Sequence, residues 1–311
     1  YSQPNVSSVV SYRAGLNWRP IEDFRLRGQF ARAQRAPDLN ELFSPPRGDF
    51  DSVNDICEGI NASSTGTVAD NCRAESGIAA AILAEGEFEQ DGSSVFSPNA
   101  GNPDIAEETA DTITLGAVFT PAAMPTFSLA IDYYRIKVKD VITSYSNADI
   151  LRLCYEDDAN FGAGNFFCNQ ISRDTDDGQI SQIVQRVFNL NELRSEGIDV
   201  SARYGFSLDS IGGAFDVRVQ YSRLINLEQR FTGLDGTLEI ERFDGELTHG
   251  SPQNQARATF GWKNDEWRIR WTTNYFGSLV DSHERVEDYA EELASNPAAE
   301  FPLFLNIGDT F

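Results

Sequence analysis

The sequence contains no long apolar run. The longest uninterrupted one, Ile78–Ala84, has seven residues, against the roughly 20 that a membrane-crossing helix needs, so a helical span is excluded. Bases are scarce: 25 Lys and Arg face 48 Asp and Glu, for a net charge of −23. That is the wrong sign for a nucleic-acid backbone, whose phosphates call for Lys and Arg. The only two histidines, His249 and His283, lie far apart in acidic segments. Neither has a nucleophile elbow or a metal-spaced partner, and both read as solvated loop residues. The four cysteines lack Cys-x2-Cys spacing and histidine partners, which excludes a zinc site. No catalytic, cofactor-binding or metal-ligating residue emerges, and an enzyme is not expected. The first residues show no basic, apolar, small-residue leader, so any targeting segment is expected outside this chain.

What the sequence does have is alternation. In "SYRAGLNWRPIEDFRLRGQF" (11–30), Tyr12, Ala14, Leu16 and Trp18 share one parity, as do Phe24, Leu26, Gly28 and Phe30 after a short break. Period-two alternation marks a strand with two unlike faces. It recurs at Ile113–Phe119, Phe127–Tyr133, Ile198–Phe206, Phe215–Tyr221, Ala256–Trp262 and Trp267–Tyr275, and no position on these apolar faces is charged. The opposite faces carry Arg13, Arg25, Arg27, Arg203, Arg218, Arg257, Arg268 and Arg270, together with Asp132, Asp199 and Asp216. In a soluble sandwich the apolar face meets a core; in a membrane barrel it meets lipid while the polar face lines a lumen.

The connections and the charge favour the barrel. Short turns (Arg19–Asp23, Thr120–Pro125, Asp209–Gly213, Lys263–Glu266) take turns with long connections, which are unusual in compact soluble domains. Segments 36–108, 140–178, 225–252 and 277–302 hold 36 of the acids and 7 of the bases, a net charge of −29, while the rest of the chain sums to +6. Acidic loops therefore surround a slightly basic strand scaffold. Trp18, Phe24, Trp262 and Trp267 near strand ends suit an interfacial girdle. A ninth alternating segment, Leu303–Phe311, would run parallel to the first, so the strands as counted do not close a ring and a fragment of a larger barrel is expected.

Several stretches resemble the β-barrel of TonB-dependent outer-membrane receptors. Arg35-Ala36-Pro37-Asp38-Leu39-Asn40-Glu41-Leu42-Phe43 is similar to that family's strand-exit motif. Physically, Pro37 stops the ladder, and Asp38 with Glu41 has capping-box spacing for one helical turn. Gly101-Asn102-Pro103-Asp104-Ile105 with Glu107-Glu108-Thr109 resembles the family's return into the next strand, and "LAIDYYRIKVKDVI", "RSEGIDVSARY" and "NYFGS" resemble later strands. The resemblance implies an all-β fold: an antiparallel transmembrane β-barrel segment over 1–311, about nine strands of a larger plugged barrel with long extracellular loops. Plug and final strands would lie outside this chain. It also implies a Gram-negative outer-membrane receptor for energy-coupled uptake of a scarce solute such as a ferric siderophore or oligosaccharide. The expected partners are outer-membrane lipid, a small-molecule or chelate ligand, and a TonB-type energy-transducing protein reached through the absent N-terminal region. A passive porin is the main rival, and a soluble β-rich adhesin or enzyme domain the lesser one.

Cys57 and Cys72 share the first long connection, and Cys154 and Cys168 the second. Four cysteines allow three connectivities; local pairing within each loop, formed in an oxidising periplasm, is the expected one. The acidic stretches 155–162 and 173–179 lack the glycine and glutamate register of a calcium loop and read as solvated. Ile78–Glu89 reads as a short amphipathic helix packed on its own loop. The polar-face arginines read mostly as partners of Asp132, Asp199 and Asp216 across neighbouring strands, with contacts to a plug or an anionic solute as the functional alternative.

Overall fold

The computed structural model describes residues 10–48, 50–157, 161–162, 164–208, 212–232, 238–296 and 306–308. Eight long strands form one antiparallel wall: β1 (Tyr12–Ile21), β2 (Phe24–Arg35), β3 (Glu108–Phe119), β4 (Ser128–Ser144), β5 (Gln185–Ser207), β6 (Ala214–Thr232), β7 (Asn254–Lys263) and β8 (Arg268–Phe276). Each pairs with its neighbour in chain order, β1 to β8. The described wall has two open edges and does not close. The ninth alternating segment falls largely outside the described residues; its Asn306–Ile307 pairs with Leu279–Val280 in a separate ribbon.

Register joins the apolar faces into one surface. Trp18, Leu26, Ala117, Ile131, Val200, Tyr221, Ala256 and Tyr275 stand side by side across all eight strands. A one-residue slip in any strand would place its polar set in this row, so the register is strongly specified. Nearer the short turns, Phe119, Phe127, Tyr204, Phe206, Phe215 and Phe260 form an unbroken chain of ring contacts 5.0 to 6.4 Å apart. This belt lies where an aromatic girdle is expected, but Phe and Tyr compose it more than the tryptophans do.

No layer covers this apolar face among the described residues. Leu16 is 72% exposed, Trp271 70% and Leu115 54%. The buried apolar cluster lies elsewhere, wholly within the first two long connections. A soluble sandwich would show the reverse. The longest strand, β5, has 23 residues, well beyond the roughly 9–11 needed to cross a membrane, so the wall continues past its apolar band toward the long connections.

Candidate functional site: the polar wall and the disulfide-tied loop unit

On the polar face, Arg27 makes a two-pronged pair with Asp132, Nε to Oδ1 at 2.9 Å and Nη2 to Oδ2 at 2.6 Å. The pair spans β3 directly over Gly116, where a Cβ would lie 2.0 Å from Asp132 Oδ1 and 2.7 Å from Arg27 Nε. Glycine is therefore the residue that lets this bridge lie flat. Asp216 serves both Arg203 (3.2 Å) and Arg218 (2.8 Å). Asp199 takes no arginine and accepts instead from the Ser222 hydroxyl at 2.6 Å. Cross-strand pairing therefore accounts for Arg27, Arg203 and Arg218, fewer than the sequence reading expected. Arg13, Arg25, Arg257, Arg268 and Arg270 have no carboxylate partner among the described residues. Arg203, Arg218, Arg257 and Arg270 surround a hollow of about 410 Å³ whose one carboxylate is Asp216.

The strand-exit motif has a physical role. Asp38 Oδ1 accepts from the amides of Asn40 (2.7 Å) and Glu41 (2.8 Å), and the Asp38 amide donates to Glu41 Oε2 (2.7 Å), completing a capping box on helix α1 (Leu39–Phe43). Arg35 then binds Glu41 and, through Nε at 2.6 Å, Glu108 at the start of β3. Gly101 packs directly on α1, and the Asn102 amide donates to the Glu41 carbonyl at 2.8 Å. The two halves of the motif, more than 60 residues apart, meet at one corner.

The first two long connections form one folded unit. The first contributes α2 (Thr67–Ala74) and α3 (Ser76–Glu85), the second α4 (Asn147–Tyr155). Strands from both enter a small four-stranded sheet: Phe50–Ser52, Ser94–Phe96, Ile180–Ile183 and Ile171–Arg173. Val53, Ile78, Ile82, Phe88 and Val95 from the first share a core with Ile150, Leu151, Tyr155 and Ile183 from the second. Cys57–Cys72 and Cys154–Cys168 are disulfides, each local to its own connection. Helix α3 starts two residues earlier than the sequence suggested and stops at Gly86, whose φ is +100°. It is apolar all round rather than amphipathic, because it packs against both connections; Leu83 faces out.

At the centre of this core Arg173 binds Asp55 through both prongs, at 2.5 and 2.7 Å, with the side chains 5% and 0% exposed. Its Nε donates to the Tyr155 hydroxyl at 2.6 Å, and Nη1 donates to the Gly178 carbonyl at 2.9 Å. The guanidinium also lies over the Tyr155 ring, 5.1 Å from its centroid. Burial alone would push the Arg173 guanidinium down; the hydrogen bonds and charge of Asp55 more than offset this and hold it above its ordinary value. Burial pushes the Tyr155 phenol far above its usual range, Arg173 pulling against that shift and Glu75 adding to it. Where the connections touch most closely, a Cβ on Gly77 would lie 2.4 Å from the Gly178 nitrogen. The sequence reading missed this clamp. Its faint signal was an arginine alone in the strongly acidic "RDTDDGQ".

The histidines are not independent solvated residues. His249 Nδ1 lies 2.8 Å from Glu246 Oε2, and the His283 amide donates to Glu246 Oε1 at 2.6 Å, opening helix α5 (His283–Ser295). Glu246 thus ties the third and fourth connections together. The described residues contain no group of three or more side chains suited to hold a metal. Of the calcium-like stretches, 158–160 lie outside the described residues, and in the other Asp174 and Asp177 accept from the amides of Asp176 and Gln179 within their own turn.

The family described as "TonB dependent receptor-like, beta-barrel" matches residues 1–298. No curated protein matches the sequence. Among solved structures, the siderophore receptor PirA from Acinetobacter baumannii is 14% identical, with a TM-score of 0.48 over 86% of this chain and 28% of that one. A variant of the ferric enterobactin receptor PfeA from Pseudomonas aeruginosa, solved with enterobactin, is 14% identical at a TM-score of 0.49, over 88% and 28%. The FrpB iron transporter from Neisseria meningitidis is 13% identical at 0.44, over 89% and 28%. The chain therefore spans little more than a quarter of the solved chains it resembles. The family is one of Gram-negative outer-membrane receptors and transporters and is not an enzyme class. With its match over nearly the whole sequence, this chain belongs to the TonB-dependent receptor-like β-barrel family.

Proposed function

We propose that the chain supplies part of the wall and the outer loops of a receptor that binds a scarce solute outside the cell and imports it by energy coupling. The observation that carries this is the uncovered apolar face. Eight strands present a continuous uncharged surface to nothing, while the buried core sits in the connections. Lipid is the solvent that such a face requires. The polar face with its arginines then lines the lumen, and the long connections stand on the extracellular side. The disulfide-tied unit offers a pre-ordered binding surface, which lowers the entropy lost when ligand binds. The ligand is a small molecule or chelate of the ferric-siderophore or oligosaccharide kind, and a TonB-type protein drives release through a region N-terminal to this chain.

Deletion of the parent gene tests the reading, with growth and uptake measured on panels of iron chelates and oligosaccharides. Uptake of one solute should disappear in the deletion strain and, in the wild type, stop when a protonophore collapses the inner-membrane gradient. Uptake that survives the protonophore would identify a passive porin instead.

A further inference from the structure

On the outward parity the wall changes character at a definite height. Along β5, outward positions from Phe206 to Ile198 are uncharged, over about 26 Å of strand. The next three are Glu196, Arg194 and Glu192, with no bulge against β4 to alter the parity. The same change occurs on β3 and β4, where Ile113 gives way to Asp111 and Tyr133 to Arg135, Lys137 and Lys139. At the boundary the Tyr133 hydroxyl donates to Glu196 at 2.9 Å and the Tyr221 hydroxyl to Asn254 at 2.7 Å. Rings in the apolar band with hydroxyls on polar partners just above it mark a membrane–water interface.

Much of the charge above the boundary is internally paired. Arg32 bonds Asp111, Lys137 and Arg194 share Glu192, and Arg230 takes Glu228. Arg135, Lys139 and Arg223 are different. All three are exposed, all have outward parity, and none has a hydrogen bond or ion pair among the described residues. Arg135 stands directly opposite Glu196, but that carboxylate is engaged by Tyr133. In a chain of net charge −23, unpaired cations collected at this one height call for an anion supplied from outside.

We infer that Arg135, Lys139 and Arg223 form an outward-facing site for a phosphorylated glycolipid headgroup of the outer leaflet. This rests on the proposed reading of the apolar face as lipid-facing. Position selects the occupant. A solute in the lumen lies on the other side of the wall, and lipid phosphates lie at the height where the apolar band ends. Guanidinium forks match phosphate oxygens two at a time, and Lys139 adds a point charge one step further out.

The test uses the complete parent protein in mild detergent, titrated with phosphorylated lipid A and with the same lipid after phosphatase treatment, with native mass spectrometry as the readout. The wild type should prefer the phosphorylated lipid. Together, Arg135→Gln, Lys139→Gln and Arg223→Gln should weaken that binding by about fivefold per cation removed, with heat-modifiable migration showing that the barrel is folded. Arg27→Gln on the polar face should leave lipid binding unchanged. Equal binding of the two lipids, equal binding by wild type and triple variant, or full displacement by inorganic phosphate at the lipid concentration would overturn the inference. A parent protein found outside the outer membrane would sink the proposed function; one that resides there and imports its solute while binding both lipids alike sinks only this site.

Discussion

The wall and the loop unit handle apolar residues in opposite ways. The wall places them on one parity and leaves them uncovered, with Leu115 and Ile269 more than half exposed. The loop unit gathers Ile78, Phe88, Ile150, Leu151 and Ile183 into a core with essentially no exposure. Composition does not separate the two regions; the solvent does. A surface in lipid gains nothing from covering itself, whereas loops in water must bury apolar area or remain unfolded. The charges follow the same division. Wall arginines are half exposed even where they are paired, while Arg173 and Asp55 are sealed inside the loop core.

The largest effect expected from that contrast lies at the clamp. Arg173→Met leaves Asp55 as an unpaired buried charge and should cost the loop unit about 3–5 kcal/mol. Hydrogen exchange in the parent protein should show protection lost across residues 53–95 and 150–183, with the amides of β6 unchanged. Unaltered loop protection would mean that disulfides and apolar packing suffice without the ion pair.

Next comes the wall. Leu129→Arg, on the apolar parity between Phe119 and Ala202, should destabilise by ~2–4 kcal/mol near the membrane midplane. Ser128→Arg, one residue away on the polar face, should cost much less. Refolding titrations into lipid measure both, and equal or reversed penalties would show the faces to be assigned backwards.

Removing the Cys57–Cys72 bridge by Cys57→Ser with Cys72→Ser should cost the loop unit about 3 kcal/mol in the chain-entropy account. Ligand affinity should fall more than barrel stability, because the bridge orders only the loop. Peptide mapping of unreduced protein from the native membrane checks the pairing itself, and a Cys57–Cys154 peptide would contradict it.

The smallest effect is a pH dependence. The folded Tyr155 phenol holds its proton more tightly than the unfolded one, so its contribution is fully present below about pH 10 and is lost as pH rises further. Loop protection should therefore decline at alkaline pH in the wild type and decline less in Tyr155→Phe. Identical curves for the two proteins would remove Tyr155 from the account.

Much of the wall was legible in the sequence because a strand's side-chain period is local. Each uncharged parity from Tyr12 to Tyr275 can be read without knowing its neighbour, and register then has one way to keep them on the same face. The cysteine pairs were legible for the same reason, being close in sequence. Arg173 was not, since its partner Asp55 lies 118 positions away and both belong to stretches that look like solvated acidic loop. The polar-face arginines were legible as residues but not as pairs. Whether a carboxylate serves one, two or none depends on cross-strand offset, and on a glycine such as Gly116 being underneath.

Alternation, the shared uncharged parity and the split between a basic scaffold and acidic connections follow from the sequence alone, because each is a property of neighbouring residues. Tertiary structure decided that two long connections, joined by no covalent bond, share one core around Arg173, and that His249 and His283 meet at Glu246. It also decided that the outward face turns from apolar to charged at one height across the strands. Those outcomes depend on which distant segments the strand register brings side by side, and no local pattern specifies that distance.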